Sequence, residues 1–165
     1  MDAVESTRSA ALLARLLSET GAELPHGMAP EDFHCLIEQA RREGVEGLLH
    51  GRLSMPSLRT TPSVEMFDAL ARAAQPGIAR SLYLESHCRK ILLRLSEAGL
   101  PVLLLKGSAL AYWAYSAPWQ RNCSDIDLLL PSRAEVDRAV KILSRFGYRP
   151  AVDALPGDLV SFELP

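Results

Sequence analysis

The chain has 165 residues, 48% apolar and 23% charged, with a formal net charge of −2, the size and make-up of one ordinary globular domain or a small domain with a helical extension. That mildly acidic balance is not the footprint of a protein that grips an extended nucleic acid by its backbone, which usually needs a basic face, though it leaves room for a local basic patch. No apolar run nears the roughly 20 residues of a membrane span, and the N-terminus, with acids at Asp2 and Glu5 and no long apolar core, is not a signal peptide. The three cysteines, Cys35, Cys88 and Cys123, are widely spaced and odd in number. They read as reduced thiols of a cytoplasmic protein, not as a disulfide framework or a zinc site.

The first half of the chain reads as helices. Over residues 3–19, Val4, Ala11, Leu12, Leu16 and Leu17 form one apolar stripe, which Gly21 closes. Pro30 suits the first turn of a second helix, with Glu31 and Asp32 complementing its positive end and Phe33, Leu36, Ile37 and Ala40 on its apolar face. Gly44 is a point of interruption, after which Val45, Leu48 and Leu49 continue the pattern. His34 and Cys35 are adjacent and so point to different sides, a poor metal pair. Residues 55–62 are loop-like. Ser63 can cap a helix through Met66, Phe67, Leu70 and Ala73, which Gln75-Pro76-Gly77 is expected to break or kink. A long helix over 78–98 carries Leu82, Leu84, Cys88, Ile91, Leu92 and Leu95, and Gly99 and Pro101 end it. His87, among Glu85, Arg89 and Lys90, reads as a solvated or partly packed histidine.

At Leu100 the pattern changes. The apolar run over 101–105 has strand length and is bounded by Gly99 and Gly107, which predicts a buried central strand. Residues 108–114 are helical in composition, with Tyr112, Trp113 and Tyr115 as packing residues or, in a second reading, a stacking surface for a base. Residues 126–130 are a second buried strand. Ser132 and Glu135 make a capping box for a helix lined by Val136, Ala139, Val140, Ile142, Leu143 and Phe146 and ended by Gly147. Further strands are expected over 148–152 and 159–164. The order β-α-β-α-β-β after a run of helices predicts an α+β fold, a mixed sheet with helices packed on it. It divides the chain into a helical region over 1–98 and a core over 99–165. The last strand ends on Pro165 without turn or partner, as a hairpin cut at its first arm would.

Two pieces of chemistry sit close together in that core. In Asp125-Ile126-Asp127, residues i and i+2 of a strand share a face, so two carboxylates stand side by side and call for a cation. Hard Mg²⁺ suits a few carboxylates supplemented by phosphate oxygens and water. Asp-x-Asp is common, and the bland alternative is a turn acid beside a solvent-facing one. Leu128-Leu129-Leu130 favours the functional reading, because a strand anchored there holds the acids rigidly. Lys106-Gly107-Ser108 follows the first strand. Gly107 permits close backbone approach, and the Ser108 hydroxyl with the free amides of the next helix suits an anion such as a triphosphate. The bland alternative is an ordinary strand-to-helix turn. Lys106 and Arg121 flank the motifs and can neutralise phosphate charge or simply balance the aspartates.

Gly-Ser followed by Asp-x-Asp on a second strand resembles the nucleotidyltransferase superfamily of DNA polymerase β-like fold. The fuller string LLKGSALA, then Arg121 and SDIDLLL, is similar to its bacterial uncharacterised nucleotidyltransferase branch, over the last two fifths of the chain. The resemblance implies a nucleoside triphosphate held by Lys106, Gly107, Ser108 and Arg121, and two Mg²⁺ ions on Asp125, Asp127 and a third carboxylate. It implies attack by an acceptor on the α-phosphorus with release of pyrophosphate. The third acid is expected beyond Pro165, because Asp153 and Asp158 read as loop acids and the surroundings of Glu163 do not match the family pattern. The C-terminal part of the core is therefore expected to be missing. The acceptor is a small molecule, a peptide or a protein side chain, and the helical region is a scaffold or a surface for a partner protein. The alternative is a non-catalytic nucleotide-binding or partner module.

Overall fold

A computed structural model describes residues 3–18, 22–55, 62–150 and 162–163. Six helices carry most of it: α1 (Ala3–Ser18), α2 (Pro30–Arg42), α3 (Glu46–Leu53), α4 (Val64–Glu97), α5 (Lys106–Trp113) and α6 (Arg133–Ser144). The strands are short: β1 (Leu103–Leu104), β2 (Leu128–Leu129), β3 (Arg149–Pro150) and β4 (Phe162–Glu163). The architecture is α+β, and the predicted order of elements after residue 99 is observed. The described strands form two separate antiparallel pairs, β1–β2 and β3–β4, in place of one mixed sheet.

Local signals set the helix ends. Pro30 starts α2, with Glu31 and Asp32 in its first turn. The Ser63 hydroxyl accepts from the Met66 amide at 3.3 Å and caps α4. At α6 the Ser132 hydroxyl accepts from the Glu135 amide and donates to the Glu135 carboxylate at 3.0 Å. Gly44, Gly99 and Gly147 take the left-handed conformation after α2, α4 and α6. Gly21 lies outside the described residues.

The expected break at Pro76 does not occur. Helix α4 runs unbroken through it for 34 residues. Proline removes one amide donor, to the carbonyl of Arg72. Both residues are exposed, so that carbonyl lies on the solvent side. Packing at both ends outweighs the local defect. Leu70 of α4 joins the first core, where Leu13, Leu16, Phe33, Leu36, Leu49 and Leu53 meet. Ile91 and Leu95 join the second core, with Leu100, Ala139, Leu143 and Tyr148. One helix is thus the spine of both halves.

His87 also departs from expectation. It is buried, and its Nδ1 lies 3.0 Å from the Tyr148 hydroxyl, which ties α4 to the chain just past α6. Burial, with Lys90 as a lesser cause, lowers its pKa below the ordinary histidine value.

Candidate active site

The β1–β2 pair decides how the chemistry is displayed. Leu103 pairs with Leu129 and Leu104 with Leu128, and the Leu105 amide donates to the Asp127 carbonyl at 2.9 Å, extending the ladder. On one face Val102, Ile126, Leu128 and Leu130 pack on the second core against α4 and α6. On the other face Leu103 and Leu129 are 59% and 53% exposed. The strands are therefore not buried on both sides, as their continuous apolar sequence predicted. Helices cover one face only, and the run of leucines hides an alternation. Period-two alternation places Asp127, and Asp125 one step further, on the open face beside Leu129. Asp125 is exposed and the Asp127 side chain is 29% exposed.

The Gly-Ser turn sits against this edge. The Ser108 hydroxyl is buried and donates to the Asp125 carbonyl at 2.9 Å. The Ser124 hydroxyl donates to Asp125 Oδ1 at 3.2 Å. The Lys106 ammonium lies 3.1 Å from Asp127 Oδ1. Helix α5 begins at Lys106, and its first internal bond runs from the Ala109 amide to the Leu105 carbonyl. The amides of Lys106, Gly107 and Ser108 precede that bond and are the orphan donors of a helix start. Gly107 lies in ordinary contact distance of the segment that leads to the aspartates. A Cβ there would meet Cys123 Sγ at 3.4 Å and the Arg121 guanidinium at 3.8–3.9 Å. Arg121 thus lies against the turn, within 3.5 Å of the Tyr115 hydroxyl, and its Nε is buried without a hydrogen-bond partner among the described residues. Burial is the main cause that raises the Cys123 thiol pKa, partly offset by the neighbouring Arg121.

All six residues singled out from sequence, Lys106, Gly107, Ser108, Arg121, Asp125 and Asp127, converge on this one edge. The aromatic residues of α5 do not pack as predicted. Trp113 is 85% exposed and Tyr112 is exposed. Helix α5 buries only Ser108 and Ala111, so its outer side carries its aromatics into solvent. Asp153 and Asp158 lie outside the described residues, and Glu163 falls in β4.

The helical half contributes what the motifs did not show. Residues 118–124, which lead into the aspartates, are strapped across α3 and α4. The Ser81 hydroxyl donates to the Arg121 carbonyl at 3.1 Å, and Arg80 to the Ser124 carbonyl at 3.2 Å. A Cβ on Gly47 would come within 3.3 Å of the Trp119 carbonyl, and one on Gly51 within 2.6 Å of the Gln120 amide. A Cβ on Gly77 would come within 2.8 Å of the buried Glu46 carboxylate and 3.5 Å of the Asn122 side-chain amide. Gly47 and Gly51, and Gly77 and Ser81, are each four apart, so each pair shares a helix face. That small-residue spacing was readable in the sequence as a bed for a close-lying segment.

An oxygen-only pair of carboxylates, open to solvent and with the Lys106 ammonium already beside Asp127, fits a hard divalent ion whose other ligands are water and phosphate. Among the described residues no group of three or more His, Cys, Asp or Glu side chains is placed to hold a metal. Among the described residues no helix is long and apolar enough to cross a membrane.

A helix-start turn fastened to paired acids that lead into a strand is the kind of edge on which phosphoryl chemistry is built. The chain belongs to the uncharacterised nucleotidyltransferase family, whose profile matches residues 29–158. The match reaches well into the helical half, further than the motifs alone suggested, and takes in α2 to α6. No curated protein and no solved structure matches the chain.

Proposed function

We propose that the chain transfers a nucleotidyl group from a nucleoside triphosphate to a small-molecule, peptide or protein acceptor, releasing pyrophosphate. The observation that carries this reading is the meeting of the Asp125–Asp127 pair with the Lys106-Gly107-Ser108 turn on one open sheet face. Bound Mg²⁺ would rest on the two carboxylates and supply Lewis-acid neutralisation of phosphate charge. The amides at the start of α5 orient and hold phosphate oxygens. Lys106 and Arg121 add positive charge, Arg121 as a planar fork beside the turn. The Ser108 bond to Asp125 keeps the phosphate turn and the acids in fixed register.

The test is incubation with Mg²⁺ and each labelled nucleoside triphosphate, following pyrophosphate release and self-labelling. Activity lost in Asp125→Asn and Asp127→Asn is the expected outcome. An inert protein whose nucleotide affinity is unchanged by Asp125→Ala/Asp127→Ala would overturn it. A second reading, a nucleotide-binding module without transfer, draws on the two acids, Asp125 and Asp127, that the described residues bring to this edge, where the two-metal reaction uses a third. Nucleotide affinity that persists without pyrophosphate release would select it.

A further inference from the structure

The inference concerns Lys106 and rests on the nucleotidyl-transfer reading above. Three observations single the residue out. It is the one non-glycine residue with positive φ, +47°, among the described residues. Backbone held there costs energy and persists only where the surroundings impose it, and such outliers gather at ligand sites. Its ammonium contacts Asp127 through a single oxygen at 3.1 Å, with the lysine side chain 72% exposed. It is also the first residue of α5, so its stem rises from the same turn that offers the orphan amides.

We propose that Lys106 makes the site selective for a metal–triphosphate complex over a bare divalent cation. In the empty site the ammonium neutralises Asp127 and competes with any free cation for that oxygen. An exposed ion pair with one contact is weak, so it yields when something better is offered. A metal–triphosphate offers both halves of the exchange. The cation takes the Asp127 oxygen, and the released ammonium passes to a phosphate oxygen a short reach away. A bare cation displaces the ammonium and gives it nothing in return. Metal and nucleotide therefore strengthen each other's binding reciprocally.

The test uses Mn²⁺ alone, a non-hydrolysable triphosphate analogue, and both together, titrated against the whole chain by calorimetry and by the Mn²⁺ electron-spin signal. Wild type is expected to bind Mn²⁺ weakly alone and more tightly with the analogue. Lys106→Met is expected to bind Mn²⁺ alone about two- to five-fold more tightly, the worth of an exposed ion pair. It should bind the analogue about tenfold less tightly or worse, the loss of a charged hydrogen bond. Lys106→Arg, which keeps the charge, should restore the weak binding of Mn²⁺ alone. If Lys106→Met lowers analogue affinity but leaves that for Mn²⁺ alone unchanged, the lysine is a phosphate ligand only and the selectivity proposal falls. If wild type binds neither Mn²⁺ nor the analogue, the nucleotidyl-transfer reading falls, and this proposal with it.

Discussion

The Ser108 hydroxyl donates a 2.9 Å hydrogen bond to the carbonyl oxygen of Asp125. That bond joins the turn after β1 to the acid before β2, so the amides at the start of α5 and the carboxylates are held as one unit. Ser108→Ala should cost about 1 kcal/mol, lowering the melting temperature by about 2–4 °C. Nucleotide-dependent turnover should fall further than that stability loss accounts for, because the acids lose their register to the turn. Melting curves alongside pyrophosphate release check both effects. Unchanged turnover in a destabilised variant would reduce the bond to a structural one.

The left-handed backbone of Lys106 makes a comparison of two variants informative. Lys106→Ala and Lys106→Gly both remove the ion pair, but only glycine removes the strain at φ +47°. The glycine variant should be more stable than the alanine variant by about 1 kcal/mol. Denaturant unfolding of the two settles it, and the reverse order would mean that this backbone carries no strain.

The strap over residues 118–124 predicts an effect at a distance from the acids. Ser81→Ala removes the donor to the Arg121 carbonyl and should cost about 1 kcal/mol. Because the strap ends at Ser124, the maximal rate should fall more than the affinity for nucleotide. Steady-state kinetics separates the two. A variant that loses affinity with an unchanged maximal rate would argue against a positioning role for α4.

Stability should fall in mild acid. Burial lowers the folded-state pKa of both His87 and His50 below the model-peptide value of about 6.5. The unfolded chain therefore binds these protons first, and stability falls as pH drops below about 6.5 toward the folded values. Above that point the contribution is constant. Unfolding free energies measured between pH 8 and pH 5 should show this slope, and His87→Gln should remove the part owed to His87. A slope unaltered in His87→Gln would show that burial does not hold that histidine neutral.

Much of the site was legible in the sequence because its residues lie within one short stretch and obey local rules. Gly107 followed by Ser108 after a strand, and Asp125 and Asp127 two apart before another, state their geometry without tertiary information. Helix caps at Pro30, Ser63 and Ser132 were legible for the same reason, since a cap involves a few neighbouring residues. Pro76 misled because a local penalty was weighed without the packing on either side of it. His87 misled because its partner, Tyr148, is 61 positions away. The run Leu103-Leu104-Leu105 misled because an all-apolar strand looks the same whether one face or both are covered.

The order of elements pointed to an α+β protein, and the motifs, through the resemblance they carry, pointed to the nucleotidyltransferase family, with Asp125, Asp127 and the Lys106-Gly107-Ser108 turn as the candidate chemistry. Tertiary structure decided which face of the β1–β2 pair stays open, that α4 serves both cores, and that Ser81, Arg80 and the small residues of α3 and α4 hold the approach to the acids. The division has a physical cause. Turns, caps and strand alternation are set by bonds between near neighbours. Coverage of a face and the bracing of a loop depend on which distant surface arrives to pack there, and that is settled by burying the whole chain at once.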